Sequence, residues 1–91
     1  MGKKVVRSYL RVLLAQKENK ERRTISLREV HRETGVPMST VMGLANNTAK
    51  SVPLDGVLAL CEFLGCEIGD LLRIEDARRA RYATTALPAI A

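Results

Sequence analysis

The side chains best suited to covalent or metal chemistry are few: one histidine, His31, and two cysteines, Cys61 and Cys66. Imidazole and thiolate are common zinc ligands, but zinc sites draw on closely spaced pairs such as C-x-x-C. Here three ligands would have to come from three separate segments without such a pair, so no metal is expected. The cysteines read instead as small apolar residues. Nucleophilic catalysis is no better supplied. The lone histidine sits within a helical pattern, the carboxylates are scattered or paired with bases, and no glycine-rich phosphate loop occurs. Neither an enzyme activity nor a cofactor is expected. What remains is non-covalent chemistry. Hydroxyls, amides and cations gather between residues 26 and 51, in Ser26, Arg28, Ser39, Thr40, Asn46, Asn47, Thr48, Lys50 and Ser51.

The elements that would position these groups have a helical period almost throughout. Val6, Leu10, Leu13 and Leu14 recur at i, i+4, i+7 and i+8, which predicts an amphipathic helix over 4–18 with Arg7 and Arg11 on its other side. A clear helix start follows. Ser26 and Glu29 have the S-x-x-E capping-box spacing, and Ile25 and Val30 stand at the hydrophobic-staple positions around it. A helix from Leu27 to Thr34 is therefore expected, ended by Gly35. Pro37 suits the first turn of a further helix running to Asn46, with Val41 and Leu44 inward. A fourth helix is expected over Pro53–Leu64, with Leu54, Val57, Leu58, Cys61 and Leu64 on its core face, and a short fifth over Ile68–Leu72. Beyond it, Ile74–Ala83 is rich in Arg and Ala with a thin apolar stripe, and Thr84–Ala91 is small and apolar. The expected organisation is one domain over 1–72 and a C-terminal extension over 73–91, since 91 residues leave no room for a second core.

Charge sharpens the picture. The chain carries 15 basic and 10 acidic residues, a formal net charge of +5, but the excess is uneven. Residues 1–50 hold 11 basic and 4 acidic side chains, a net of +7; residues 51–72 hold 4 acidic and no basic ones, a net of −4. A basic excess confined to one stretch suits a face turned toward a polyanion. With only Tyr9, Phe63 and Tyr82 aromatic, the chain lacks the stacking platforms of single-strand binders. The longest wholly apolar run, Val57–Cys61, is far short of the roughly 20 residues a membrane helix needs. The basic N-terminus is followed by no long apolar stretch, so a secretory signal is not expected, and the cysteines are expected as reduced thiols in the cytoplasm.

Only Gly35 and Val36 separate the second and third helices, and a short glycine-containing connection between two short helices is the helix-turn-helix pattern. Ser26-Leu27-Arg28-Glu29-Val30, Thr34-Gly35-Val36, Ser39-Thr40-Val41 and Asn46-Asn47 together resemble the Cro and phage-repressor type of helix-turn-helix domain. Leu54, Val57, Leu60-Cys61, Leu64-Gly65-Cys66 and Gly69-Asp70-Leu71-Leu72 extend the likeness through that domain's fourth and fifth helices. The resemblance implies an all-α, five-helix, lambda-repressor-like domain of a small bacterial transcriptional regulator that binds double-stranded DNA, often as a homodimer. It implies that the helix over 37–46 is the recognition helix, with Met38, Ser39, Thr40, Met42 and Gly43 nearest the base edges. It assigns phosphate contacts to Ser26, Arg28, Asn46, Asn47, Thr48, Lys50 and Ser51.

The chain also departs from the family pattern. Its recognition helix contains no Arg, Lys, Gln or Glu, the residues that supply most bidentate base readout. Leu27 stands where relatives often carry Gln, and His31 where they prefer a small residue, which predicts an outward tilt of His31 and a wider helix crossing. Lys20, Arg22 and Arg23, in a long first connection, are further candidates for flanking phosphates. The bland recognition helix keeps a rival open: a protein-interaction module, antitoxin-like or an adaptor, that has the fold without base reading. Residues 73–91 are the expected dimer or partner element.

Overall fold

A computed structural model describes residues 4–76. The chain opens with a strand, β1 (Lys4–Ser8), and continues through α1 (Leu10–Glu21), α2 (Leu27–Thr34), α3 (Met38–Ala45), α4 (Leu54–Leu64) and α5 (Ile68–Leu71) before closing with β2 (Leu72–Asp76). The two strands form an antiparallel ribbon in which Lys4 faces Asp76, Val6 faces Ile74 and Ser8 faces Leu72. The five expected helices are all present, but the fold is not strictly all-α.

Two expectations are corrected by that ribbon. The helix expected over 4–18 begins only at Leu10. Val6 fits the helical spacing yet is 65% exposed, and Lys4–Ser8 is extended with alternating exposure. The β-branched Val5-Val6 pair suits a strand, and the pairing partner lies more than sixty residues away, where no local period can reveal it. Ser8 ends the strand: its Oγ accepts the Leu10 N–H at 3.2 Å, while the Tyr9 N–H donates to the Leu71 carbonyl at 2.8 Å. The second correction concerns the boundary at residue 73, which falls inside β2. Arg73–Asp76 complete the fold, with the Arg73 guanidinium 4.8 Å from the centre of the Tyr9 ring and the Glu75 carboxylate accepting from the Tyr9 hydroxyl. The possible helix over 74–83 is a strand as far as Asp76, and the remainder of the 73–91 extension lies outside the described residues.

The core joins every helix. Leu10 and Leu14 of α1 meet Val30 of α2, Val41 and Leu44 of α3, Val57 and Leu60 of α4 and Leu71 of α5, with Ile25 and Val36 filling the corners. Each such aliphatic side chain contributes about 1.5–3 kcal/mol when fully buried. The Ile25–Val30 staple is buried as expected. The core face assigned to α4 is corrected in part: Val57 is buried, but Leu54 and Leu58 are 80% and 59% exposed. Their spacing marks a second apolar stripe that the described residues leave open.

Candidate nucleic-acid interface

The start of α2 is built from local contacts. Ser26 Oγ accepts the Glu29 N–H at 3.1 Å, one half of the capping box. The reciprocal half is not made, because the Glu29 carboxylate instead takes a 2.6 Å hydrogen bond from Arg23. Arg23 also donates to Glu21 at 2.8 Å, and the Glu18 carboxylate accepts the Ile25 N–H at 2.6 Å. Arg23, offered above as a phosphate ligand, is thus engaged in fastening the α1–α2 corner, while Lys20 and Arg22 remain exposed. In the first turn of α2, the N–H groups of Leu27 and Arg28 have no intrahelical acceptor, and the Arg28 side chain is exposed.

The turn itself needs glycine. Gly35 has φ +76°, the left-handed region, and its N–H closes α2 on the His31 carbonyl at 2.9 Å. His31 does not tilt away as expected. It is half-buried, with Nδ1 2.6 Å from the Val36 carbonyl oxygen. A carbonyl only accepts, so Nδ1 carries the proton, and the imidazole ties α2 across the turn to the residue leading into α3. Thr34 adds a relay: its hydroxyl donates to the Val30 carbonyl at 2.6 Å and accepts the Val36 N–H at 3.2 Å.

α3 has no side-chain cap at its start and no charged residue in its first or last turn. Val41, Leu44 and Ala45 are buried, which leaves Ser39, Met42 and Asn46 exposed at i, i+3 and i+7. Met38 and Thr40 are half-buried beside this row. Gly43 has a packing role: a Cβ there would stand 3.1 Å from Ala49 Cβ, and the Gly43 carbonyl accepts the N–H groups of both Thr48 and Ala49. The loop after α3 therefore lies directly on the helix. Asn46, Thr48, Lys50 and Ser51 are exposed along it.

Two groups hold the end of α3 in place, and local sequence reasoning gives neither this role. Arg11 of α1 donates from Nε to the Ala45 carbonyl at 3.0 Å and from Nη2 to Asn46 Oδ1 at 3.1 Å. A cation at a helix C-terminus also complements the helix dipole. Asn47, in the left-handed region at φ +58°, accepts the Ser8 N–H at 2.7 Å and donates to the Ser8 carbonyl at 3.1 Å. Its amide, expected on a phosphate, is occupied by the end of β1. The loop over 46–51 thus lies against the end of α3, with Gly43 and Asn47 serving as its fasteners.

The cysteines lie elsewhere, half-buried and unbridged near the end of α4. Burial, and secondly the adjacent Cys61, push the Cys66 thiol up to about 11, so it is protonated and a poor nucleophile at neutral pH. Among the described residues, no group of three or more His, Cys, Asp or Glu side chains could hold a metal ion.

A capped helix, a left-handed glycine turn and a second helix with one open face make up a helix-turn-helix. The family model of the Cro/C1-type helix-turn-helix DNA-binding domain matches residues 10–77, most of the chain. The chain belongs to that family. The match takes in all five helices and β2 and leaves out β1, the strand that Asn47 holds. Among solved structures, this Cro/C1-type chain is similar to the crystal structure of the transcriptional regulator VanUg, at 27% identity and a TM-score of 0.62, over 84% of this chain and 91% of that one. No curated protein matches it. No described helix is long and apolar enough to cross a membrane.

Proposed function

We propose that this protein is a transcriptional regulator of the bacterial cytoplasm that binds double-stranded DNA as a homodimer, with α3 in the major groove. The observation that carries the reading is the open row Ser39, Met42 and Asn46 on a helix whose other face is buried in a helix-turn-helix core. An α-helix fits the major groove, and Ser39 and Thr40 offer single hydrogen bonds while Met38 and Met42 can meet thymine methyls. Gly43 lets the backbone of the loop lie close to the helix. Ser26, Arg28, Asn46, Thr48, Lys50 and Ser51 hold phosphates, with Asn47 contributing through the loop it fixes. Main-chain N–H groups at the start of α2 suit the same role. With no Arg, Lys, Gln or Glu on α3, and Asn46 Oδ1 already accepting from Arg11, DNA shape carries much of the selectivity. Two copies on a palindrome would set their recognition helices about 34–36 Å apart.

Selection of bound sites from random duplexes, followed by salt titration on the best site, tests this. Log K is expected to fall with log salt at a slope of about −0.9 for each phosphate neutralised. Lys50→Ala should weaken all sequences alike, and Ser39→Ala should shift site preference; the opposite pattern would mean that α3 is not the reader. Absence of duplex binding even at low salt would overturn the reading in favour of a protein-interaction module.

A further inference from the structure

The second apolar stripe on α4 has no counterpart in the DNA reading. Leu54 and Leu58, with Ile68 of α5, are 80%, 59% and 55% exposed, and they border an open groove of about 500 Å³ floored by Val57 and Cys61. Glu62, Glu67 and Asp70 rim this groove. No basic residue occurs between 51 and 72, so the groove has one sign of charge only. An apolar surface of this kind, ringed by polar groups, marks an interaction site. Its charge restricts what can occupy it. Nucleic acid is repelled, and two copies joined face to face through this groove would set their carboxylates against one another.

A segment of the required opposite character follows β2. Residues 77–91 contain Arg78, Arg79 and Arg81, no acidic residue, and then Leu87 and Ile90. β2 starts directly after α5, the helix that supplies Ile68 to the groove. Fifteen residues extend up to about 50 Å, and the longest axis of the molecule is 41 Å, so the segment can reach the groove of its own chain. We propose that the Leu54–Leu58–Ile68 groove is the docking site of residues 77–91 of the same chain, with the arginines on the carboxylate rim and Leu87 and Ile90 on the apolar floor. This assignment is independent of how α3 meets DNA.

The chain has no tryptophan, so Ala86→Trp provides a single emitter within the segment. In this variant, emission is expected to be blue-shifted and acrylamide quenching severalfold slower than when Leu58→Glu is added. Leu58 is exposed, so this second substitution should leave the circular dichroism unchanged. Reversing Arg78, Arg79 and Arg81 to Glu should expose the tryptophan equally, and added salt should act in the same direction. Dilution should change nothing. Equal quenching in all the variants would overturn the proposal. Protection that fades on dilution would also overturn it, by assigning the groove to a second copy.

Discussion

α2 and α3 are both eight residues long, yet they are fastened at opposite ends and by opposite means. The start of α2 is secured by side chains close to it in sequence: Ser26 on Glu29, Arg23 on Glu29, Glu18 on Ile25. α3 starts without a side-chain cap and is secured at its end, by Arg11 and by Asn47 bound to Ser8, partners 34 to 39 residues distant. The contrast has a functional logic. Fasteners drawn from distant parts of the chain leave the start and outer row of α3 open. They also add the strand ribbon and α1 to the His31 and Thr34 ties that hold the entry to α3, so its position rests less on its own propensity, which Gly43 lowers by up to about 1 kcal/mol.

Asn47→Gly should give the largest effect. Glycine accepts the left-handed conformation, so only the amide is lost, and Ser8, itself 7% exposed, loses its partners. A buried group left unsatisfied costs about 1–3 kcal/mol, so a net loss near 2 kcal/mol in urea unfolding is expected after the backbone relief. Arg11→Met comes next, at about 1–2 kcal/mol for hydrogen bonds from a charged donor at an exposed site. Because both act on the last turn of α3, their double mutant should depart from additivity. Additive losses would break the idea that they form one fastener.

This division also explains what could be read from the sequence. The α2 start was legible because its signals, Ser26, Glu29, Ile25 and Val30, lie within six residues and act on one another. Gly35 was legible because a left-handed helix end favours glycine. Helix spans came through wherever the apolar period belonged to a core-facing surface. The span fails at Val6, which keeps the period but sits on a strand paired with Ile74; at Leu54 and Leu58 the helix is where the spacing puts it, and only their assignment to the core face fails, because that face is open. The roles of Arg11, Asn47 and His31 were not legible. Each is a polar side chain of ordinary type whose partner is a backbone carbonyl or amide, and backbone groups leave no mark in sequence.

Ser26→Ala removes a local cap and should cost about 1 kcal/mol. That is less than Asn47→Gly, and it should be additive with it because no partner is shared. Loss of DNA affinity should divide by cause. Lys50→Ala removes a charged phosphate contact and should reduce the salt slope, whereas Asn47→Gly should lower affinity by misplacing α3 with the slope retained. Identical slopes for the two variants would remove the distinction between a contact and a fastener.

The smallest effect expected is a pH dependence confined to the α1–α2 corner. Hydrogen bonds from Lys17 and Arg23 hold the Glu21 carboxyl below its ordinary value of 4.5. A carboxyl lowered in the folded state contributes stability that is fully present above its unfolded value and is lost as the pH falls through the lowered folded value. The window therefore lies below 4.5, and because Glu21 is at the surface the contribution is small and falls further with salt. Carboxyl carbon shifts followed by NMR should show Glu21 titrating below that value, and Glu21→Gln should flatten the pH dependence of the unfolding midpoint there. The amides of α3, which has no charged residue in either end turn, should stay still while Glu21 titrates. If they move with the same midpoint, the corner and the reading helix are coupled, and the two helices are not fastened separately.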